Sequence, residues 1–279
     1  MASTAAEELV EFYLPVLVAA GDYARHIQSR IGAPSQKSGA NEWTQALTDA
    51  DVMVQSFIEV ATLARDPTLG FYGEESEHSA NSKYFERDAD TVVYLDPING
   101  TFLYQNQRPS WDIILSVVKS GRIAAAISYM PVSGIFYLAI DGTGALTGDR
   151  ECRSLDDFSP LTTASGSNVC LTYQARDMME DLSAEFDCFD IVADYDPERP
   201  LDNLNDLFTG RLDAFACRDC EPLDWGAIAF IAAQAGGCAS HPDGAELDVL
   251  ADFDPVRATD MVVSSSPEVH DRILTLLAG

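Results

Sequence analysis

Leu95-Asp96-Pro97-Ile98-Asn99-Gly100-Thr101 is the stretch on which the fold turns. The apolar run Val92-Val93-Tyr94-Leu95 leading into it reads as a buried strand. That run ends at an acid, Asp96. Pro97 removes a backbone donor and stiffens the turn. Gly100 allows the main chain to approach a ligand closely, and Thr101 stands where a helix can begin. A carboxylate at a strand end, followed by backbone N–H groups at a helix start, suits a metal ion together with a phosphate. An ordinary strand-to-loop turn explains the same residues, so the flanking chain has to discriminate.

Upstream, Phe71-Tyr72-Gly73-Glu74-Glu75-Ser76 puts two adjacent acids at the end of a short strand-like segment. Burying both is costly, and a divalent cation would relieve that cost; solvated surface explains them equally well in isolation. Before it, a helix is expected over 52–64, with Val54, Phe57, Ile58 and Ala61 on one face and Thr48 or Asp49 as its cap. Asp51 there is either a first-turn acid favoured by the helix dipole or part of a site. Residues 5–30 carry Leu9, Phe12, Tyr13, Val16, Leu17, Ala20 and Ala24 at helical spacing, with Pro15 a candidate kink. A loop over 32–41 holds the lone Lys37, and 77–90 reads as a mobile polar loop.

Downstream, 112–119, 123–129 and 134–140 are apolar runs joined by Ser120-Gly121, Pro131-Val132-Ser133 and Asp141-Gly142, an antiparallel meander. Gly142-Thr143-Gly144 is read as a hairpin turn, since no helical pattern follows it. The second half alternates: strands over 169–173, 189–193, 212–217 and 261–264, and helices over 174–186, 201–209, 224–235 and 267–277. Gly210 and Gly236-Gly237 end two of those helices. The fold class is therefore α/β, with an α+β half over 1–150 and an α/β half over 151–279.

Composition narrows the chemistry. The 279 residues are 47% hydrophobic and carry 45 acids against 17 Lys+Arg, a formal charge of −28. With no basic patch to release counterions, nucleic acid is excluded as a partner, and an acidic membrane surface is disfavoured for the same reason. An anionic substrate would be repelled unless the site carries its own cations. No apolar run reaches the roughly 18 residues of a membrane span. The first twenty residues lack a basic n-region and contain Glu7, Glu8 and Glu11, which is not a signal-peptide pattern. Cys217 and Cys220 form one CxxC with no second pair to complete a zinc site, so the six cysteines are expected to be reduced thiols in a cytoplasmic protein. His26, His78, His241 and His270 are scattered and read as surface or packing residues.

Asp51, Glu74-Glu75, Asp96 and Asp224 each lie next to a strand end or a helix start. Their order, with Gly73-Glu74-Glu75-Ser76, Asp96-Pro97-Ile98-x-Gly100-Thr101, and Pro222-x-Asp224 followed by Ala235-Gly236-Gly237, resembles the inositol monophosphatase family. Thr48-x-x-Asp51, Gly142-x-Gly144-Ala145 and Gly210-Arg211-Leu212-Asp213-Ala214-Phe215 agree. The resemblance spans roughly residues 8–275. It implies a layered αβαβα sandwich and a Mg²⁺-dependent phosphatase acting on a small phosphorylated metabolite: a polyol, sugar or nucleotide phosphate. Glu74, Asp96 and the Ile98 carbonyl would hold a first ion, and Asp96, Asn99 and Asp224 a second. Two or three ions are implied, with Mn²⁺ an alternative. Gly100 and Thr101 would bind the phosphate, and Glu74 and Thr101, backed by Asp51, would be catalytic. Dimers are common in the family, which is the basis for expecting a homodimer.

The chain departs from the family pattern at informative places. Asn99 stands where Asp-Pro-Ile-Asp-Gly-Thr has its second acid, and an amide ligates without charge. Three readings stay open: a natural variant with weaker or different metal binding, an engineered block, or a silent phospho-ligand-binding protein of the same fold. Leu223 replaces a tryptophan, Glu198-Arg199 replaces Gly-Ser, and Cys217 replaces a sugar-contacting Glu. Arg218, Asp219 and Glu221 are the candidates to line the substrate pocket instead.

Overall fold

Val10, Tyr13, Leu14, Leu17, Ala20 and Ala24 recur at helical spacing, and the computed structural model buries all six along helix α1 (Ala5–Gln28). Pro15 lies on its exposed face, and the helix runs through it. The structure describes residues 5–30, 49–163, 166, 168–190, 194, 196, 203–247, 250 and 252–279. The expectations for Lys37, Thr48, Glu198-Arg199 and the starts or ends of elements at 191–193 and 201–202 lie outside the described residues. Helix α2 (Asp49–Arg65) packs on α1, and Tyr13 Oη and Thr62 Oγ1 meet at 2.8 Å between them. Of the expected inner face of α2, Val54 and Ile58 are buried while Phe57 is exposed.

Both helices cover one face of a seven-stranded sheet: β1 (Gly70–Gly73), β2 (Thr91–Asn99), β3 (Asp112–Lys119), β4 (Arg122–Met130), β5 (Ile135–Ile140), β6 (Gly144–Asp149) and β7 (Ser159–Pro160), in that order. Only β1 and β2 pair in parallel; the rest form the antiparallel meander read from the sequence, extended by β6 and β7, which the sequence reading did not assign. A short helix α3 (Thr101–Gln105) follows β2. It is locked to α1 by Tyr104 Oη donating to the Ala24 carbonyl at 2.6 Å, and Gln28 Nε2 donates to the carbonyls of Tyr104 and Arg108.

A second sheet has the order β11 (Cys238–Ser240), β12 (Thr259–Ser264), β10 (Leu212–Cys220), β8 (Asn168–Leu171), β9 (Asp187–Asp190). Between the two sheets lies α5 (Trp225–Gln234), apolar on all sides as a helix with no solvent face should be. The outer face of the second sheet carries α4 (Met179–Leu182) and α6 (Pro267–Ala278). The layers are helix, sheet, helix, sheet, helix, the sandwich expected from the sequence.

Three elements differ from expectation. The helix predicted over 174–186 is a 3₁₀ segment, Tyr173–Met178, continuing into one turn of α4: Ala175, Met178 and Leu182 bury at a spacing that the tighter winding accommodates. The helix over 201–209 reduces to a 3₁₀ turn, Leu204–Leu207, capped by Asn203, whose side chain accepts from Asn205 N. The loop over 77–90 is tied down, since Asn81 Nδ2 donates to buried Glu59 at 2.9 Å and Phe85 stacks on Phe71. Replacing Tyr104 by Phe leaves the buried Ala24 carbonyl without that donor, and urea denaturation is expected to show a loss of about 1–3 kcal/mol.

Candidate active site

The run Val92–Leu95 does not stop at Asp96 as expected. Strand β2 continues to Asn99, with its pairing to β3 shifted between Asp96 and Asn99. Pro97 supplies no N–H to the ladder, and the irregularity falls where that donor is missing. Asp96 Oδ1 accepts from Ile98 N at 3.0 Å, which folds the chain over its own carboxylate. Gly100 then takes φ +86 as the residue preceding α3, a conformation that costs glycine nothing. Thr101 Oγ1 lies 3.0 Å from the Ile98 carbonyl and 3.3 Å from Asp51 Oδ1. Asp51, fully buried in the first turn of α2, is thereby joined to the β2 terminus.

Glu74 is placed by parallel pairing of β1 with β2, its N–H donating to the Leu95 carbonyl at 3.0 Å. Gln55, which the sequence reading passed over, braces this segment: its Oε1 accepts from Glu75 N at 2.9 Å and its Nε2 donates to Glu59 at 3.0 Å. A Cβ at Gly73 would lie 2.1 Å from Gln55 Oε1, so a larger residue there would displace this brace. The detectable signal was a glutamine among the apolar positions of α2.

Asp224 is the N-cap of α5, accepting from Trp225 N at 2.8 Å. The five-stranded sheet and α5 therefore bring it from the second half of the chain to the carboxylates of the first. Glu221 bears on the same charges, raising the proton affinity of Glu74 and Asp224. Arg218 does not join them. It pairs with Asp177 and Asp260, each at 2.8 Å, and lines a separate cavity of about 390 Å³ with Met178, Pro242 and Leu274. Asp219, at φ +48, has its N–H bound to Asp260. Of the three substrate-pocket candidates, Glu221 is the one whose charge is felt at Glu74 and Asp224. The expectation of reduced thiols is corrected, since Cys217 and Cys220 form a disulfide across the irregular end of β10. Cys152, Cys170, Cys188 and Cys238 keep their thiols.

Electrostatics follow from this crowding. Burial, then the charges of Glu74 and Asp224, hold the Asp96 carboxyl well above the usual carboxylate range. Glu74 keeps an exposed side chain, yet protein surrounds it densely; desolvation pushes it up to about 7, reinforced by Glu75, Asp51 and Glu221. Burial pushes Asp224 up to about 8, with Glu74 adding to it. Glu74 and Asp96 share a side-chain hydrogen bond. Among the described residues, no three acid, histidine or cysteine side chains converge closely enough to hold an ion without adjustment. The donors at hand are nonetheless all hard oxygens, from Glu74, Asp96, Asp224 and the Ile98 carbonyl. That set fits Mg²⁺ or Mn²⁺ and not a thiolate- or imidazole-seeking metal.

Groups whose proton affinity is raised by folding make the folded state bind more protons than the unfolded chain, so stability falls as pH rises through their titration. With Glu74 at about 7 and Asp224 at about 8, the chelator-treated protein is expected to melt lower at pH 8 than at pH 5. Added Mg²⁺ is expected to raise the melting temperature most at pH 8, where the carboxylates are ionised. Thermal melts at the two pH values check both.

The model of the inositol monophosphatase family matches residues 7–278. An inositol-1-monophosphatase of Rhizobium meliloti is 24% identical over 214 residues, covering 71% of this chain and 73% of that protein. A fructose-1,6-bisphosphatase/inositol-1-monophosphatase of Thermotoga maritima is 23% identical over 231 residues, covering 81% and 82%. The solved structure of the extragenic suppressor protein suhB from Bartonella henselae superposes with a TM-score of 0.72 at 16% identity, over 97% of this chain and 98% of that one, a likeness of fold. With the family model matching from α1 to the end of α6, the chain belongs to the inositol monophosphatase family.

Proposed function

We propose that this protein is a Mg²⁺-dependent phosphatase of small phosphate monoesters, with a polyol, sugar or nucleotide phosphate as substrate. The observation that carries the reading is the Glu74–Asp96 hydrogen bond at the irregular end of β2, with Asp224 near enough for its charge to raise the proton affinity of Asp96 and for Glu74 to raise its own. Membership of the family supports it. Glu74, Asp96 and the Ile98 carbonyl would hold one ion, and Asp96, Asn99 and Asp224 a second. Bound there, the ions would supply an acidified water and the positive charge that a phosphate needs.

The chain's own residues do the rest. Glu74, solvent-reached and pushed up to about 7, is suited to accept a proton near neutral pH. Thr101 Oγ1, within reach of Asp51 Oδ1 at 3.3 Å, can pass its own proton there while accepting from a water. The N–H groups of Gly100 and Thr101 sit at the opening of α3, beside these acids, where they can donate to phosphate oxygens. At −28, the protein would otherwise repel its substrate, so the cations are needed for binding as well as for chemistry.

Phosphate release from a panel of monoesters, with and without Mg²⁺, tests this. Release is expected with at least one ester, to be abolished by EDTA and restored by Mg²⁺, and to fall to the enzyme-free rate in Asp96→Asn. Undiminished release in chelator, or in that variant, would overturn the reading.

A further inference from the structure

Position 99 carries an amide, and the fold holds that amide in one orientation. Asn99 Nδ2 donates to Asp112 Oδ1 at 2.9 Å, and the two residues face each other directly across β2 and β3. Asp112 heads β3, is fully buried, and has no part in the roles assigned above. Its oxygens also accept from Asn203 Nδ2 at 3.0 Å, Asn205 Nδ2 at 3.0 Å and Ser128 Oγ at 2.5 Å. All four partners are neutral donors. An ionised carboxylate can only accept, so Asn99 must present its NH₂ edge to Asp112. The other prong of the planar amide, the carbonyl oxygen Oδ1, is then directed away from Asp112. Asp112 also lies close enough to Asp96 for its charge to be felt there.

We propose that Asp112 is a positioning residue that makes Asn99 a neutral oxygen ligand, keeping one strand behind the site the negative charge that the family pattern carries at position 99. Asn99 and Asp112 then act as a transposed pair. The inference rests on the metal-dependent reading above. It explains why an acid at 99 does not suit this chain: two carboxylates would face each other at hydrogen-bond distance inside the protein. It also makes Asn99 part of a consistent design with Asn203, Asn205 and Ser128, not an isolated loss.

The test uses the full chain and Mn²⁺ as the probe, with binding followed by electron paramagnetic resonance and stability by melting of chelator-treated protein. Asp112→Asn is expected to weaken Mn²⁺ binding at least ~10-fold, as loss of a ligand's orienting partner does. Asn99→Asp alone is expected to melt well below the parent chain, without tighter Mn²⁺ binding. The double variant N99D/D112N restores one acid and one amide with their places exchanged, and is expected to recover both melting temperature and Mn²⁺ affinity relative to Asn99→Asp. Should Asp112→Asn fail to fold, the comparison of Asn99→Asp with the double variant decides alone. A double variant no better than Asn99→Asp would overturn the proposal, as would Asn99→Asp that binds Mn²⁺ more tightly at undiminished stability. If the parent chain binds no Mn²⁺, the metal reading fails and this inference fails with it; if the parent binds and the variants show no exchange, only the inference fails.

Discussion

Mutual repulsion among Asp96, Glu74 and Asp224 is the constraint around which the rest of the molecule is arranged. Each carboxyl is drawn from a different element, and each has its proton affinity raised by burial and by its neighbours. Holding like charges together requires walls that do not yield. Here the walls are a bulged strand end, a strand paired to it in parallel, and the capped start of a helix buried on all sides. Most of the hydrophobic core exists on either side of that junction, so the cost of the site is carried by packing at a distance from it.

The position of α5 is what couples the two sheets. Its apolar side chains share one cluster with the inner face of β3, β4 and β5 and with β10 and β12. Asp224 caps its first turn and thus has little freedom relative to β2. Asp112 provides a second tie, since its oxygens bind Asn99 and Ser128 from the first sheet and Asn203 and Asn205 from the turn before β10. One buried anion satisfied by neutral donors therefore spans the same junction as the site.

Much of this was legible in the sequence. The helical spacing in α1, the three-strand meander and the acids next to strand ends all appear where the pattern of side chains requires them. The readings that failed did so for identifiable physical causes. Strand β2 outruns its apolar stretch because Asp96 and Ile98 form a turn that remains within the ladder. The 174–186 segment winds as 3₁₀ up to Met178 and as a single α turn after it, with Ala175, Met178, Leu182 and Phe186 packed on the outer face of the second sheet. The ion pairs of Arg218 were not legible either, because Asp177 and Asp260 converge on it from elements remote in sequence. Gln55 and Asp112 escaped notice because their partners lie far along the chain. A polar residue on the inner face of α2, and an acid opening the apolar run Ile113-Ile114-Leu115, were the available signals.

The central claim is that the end of β2 is a divalent-cation site built from both halves of the chain. Its most direct measurement is an anomalous difference map from a crystal grown with Mn²⁺. The account predicts a peak bonded to Asp96, shared with Glu74 and the Ile98 carbonyl, and a second at Asp96 with Asp224 and the Asn99 Oδ1 atom. Mn²⁺ found only on the acidic surface, with Asp96 unligated, would contradict it.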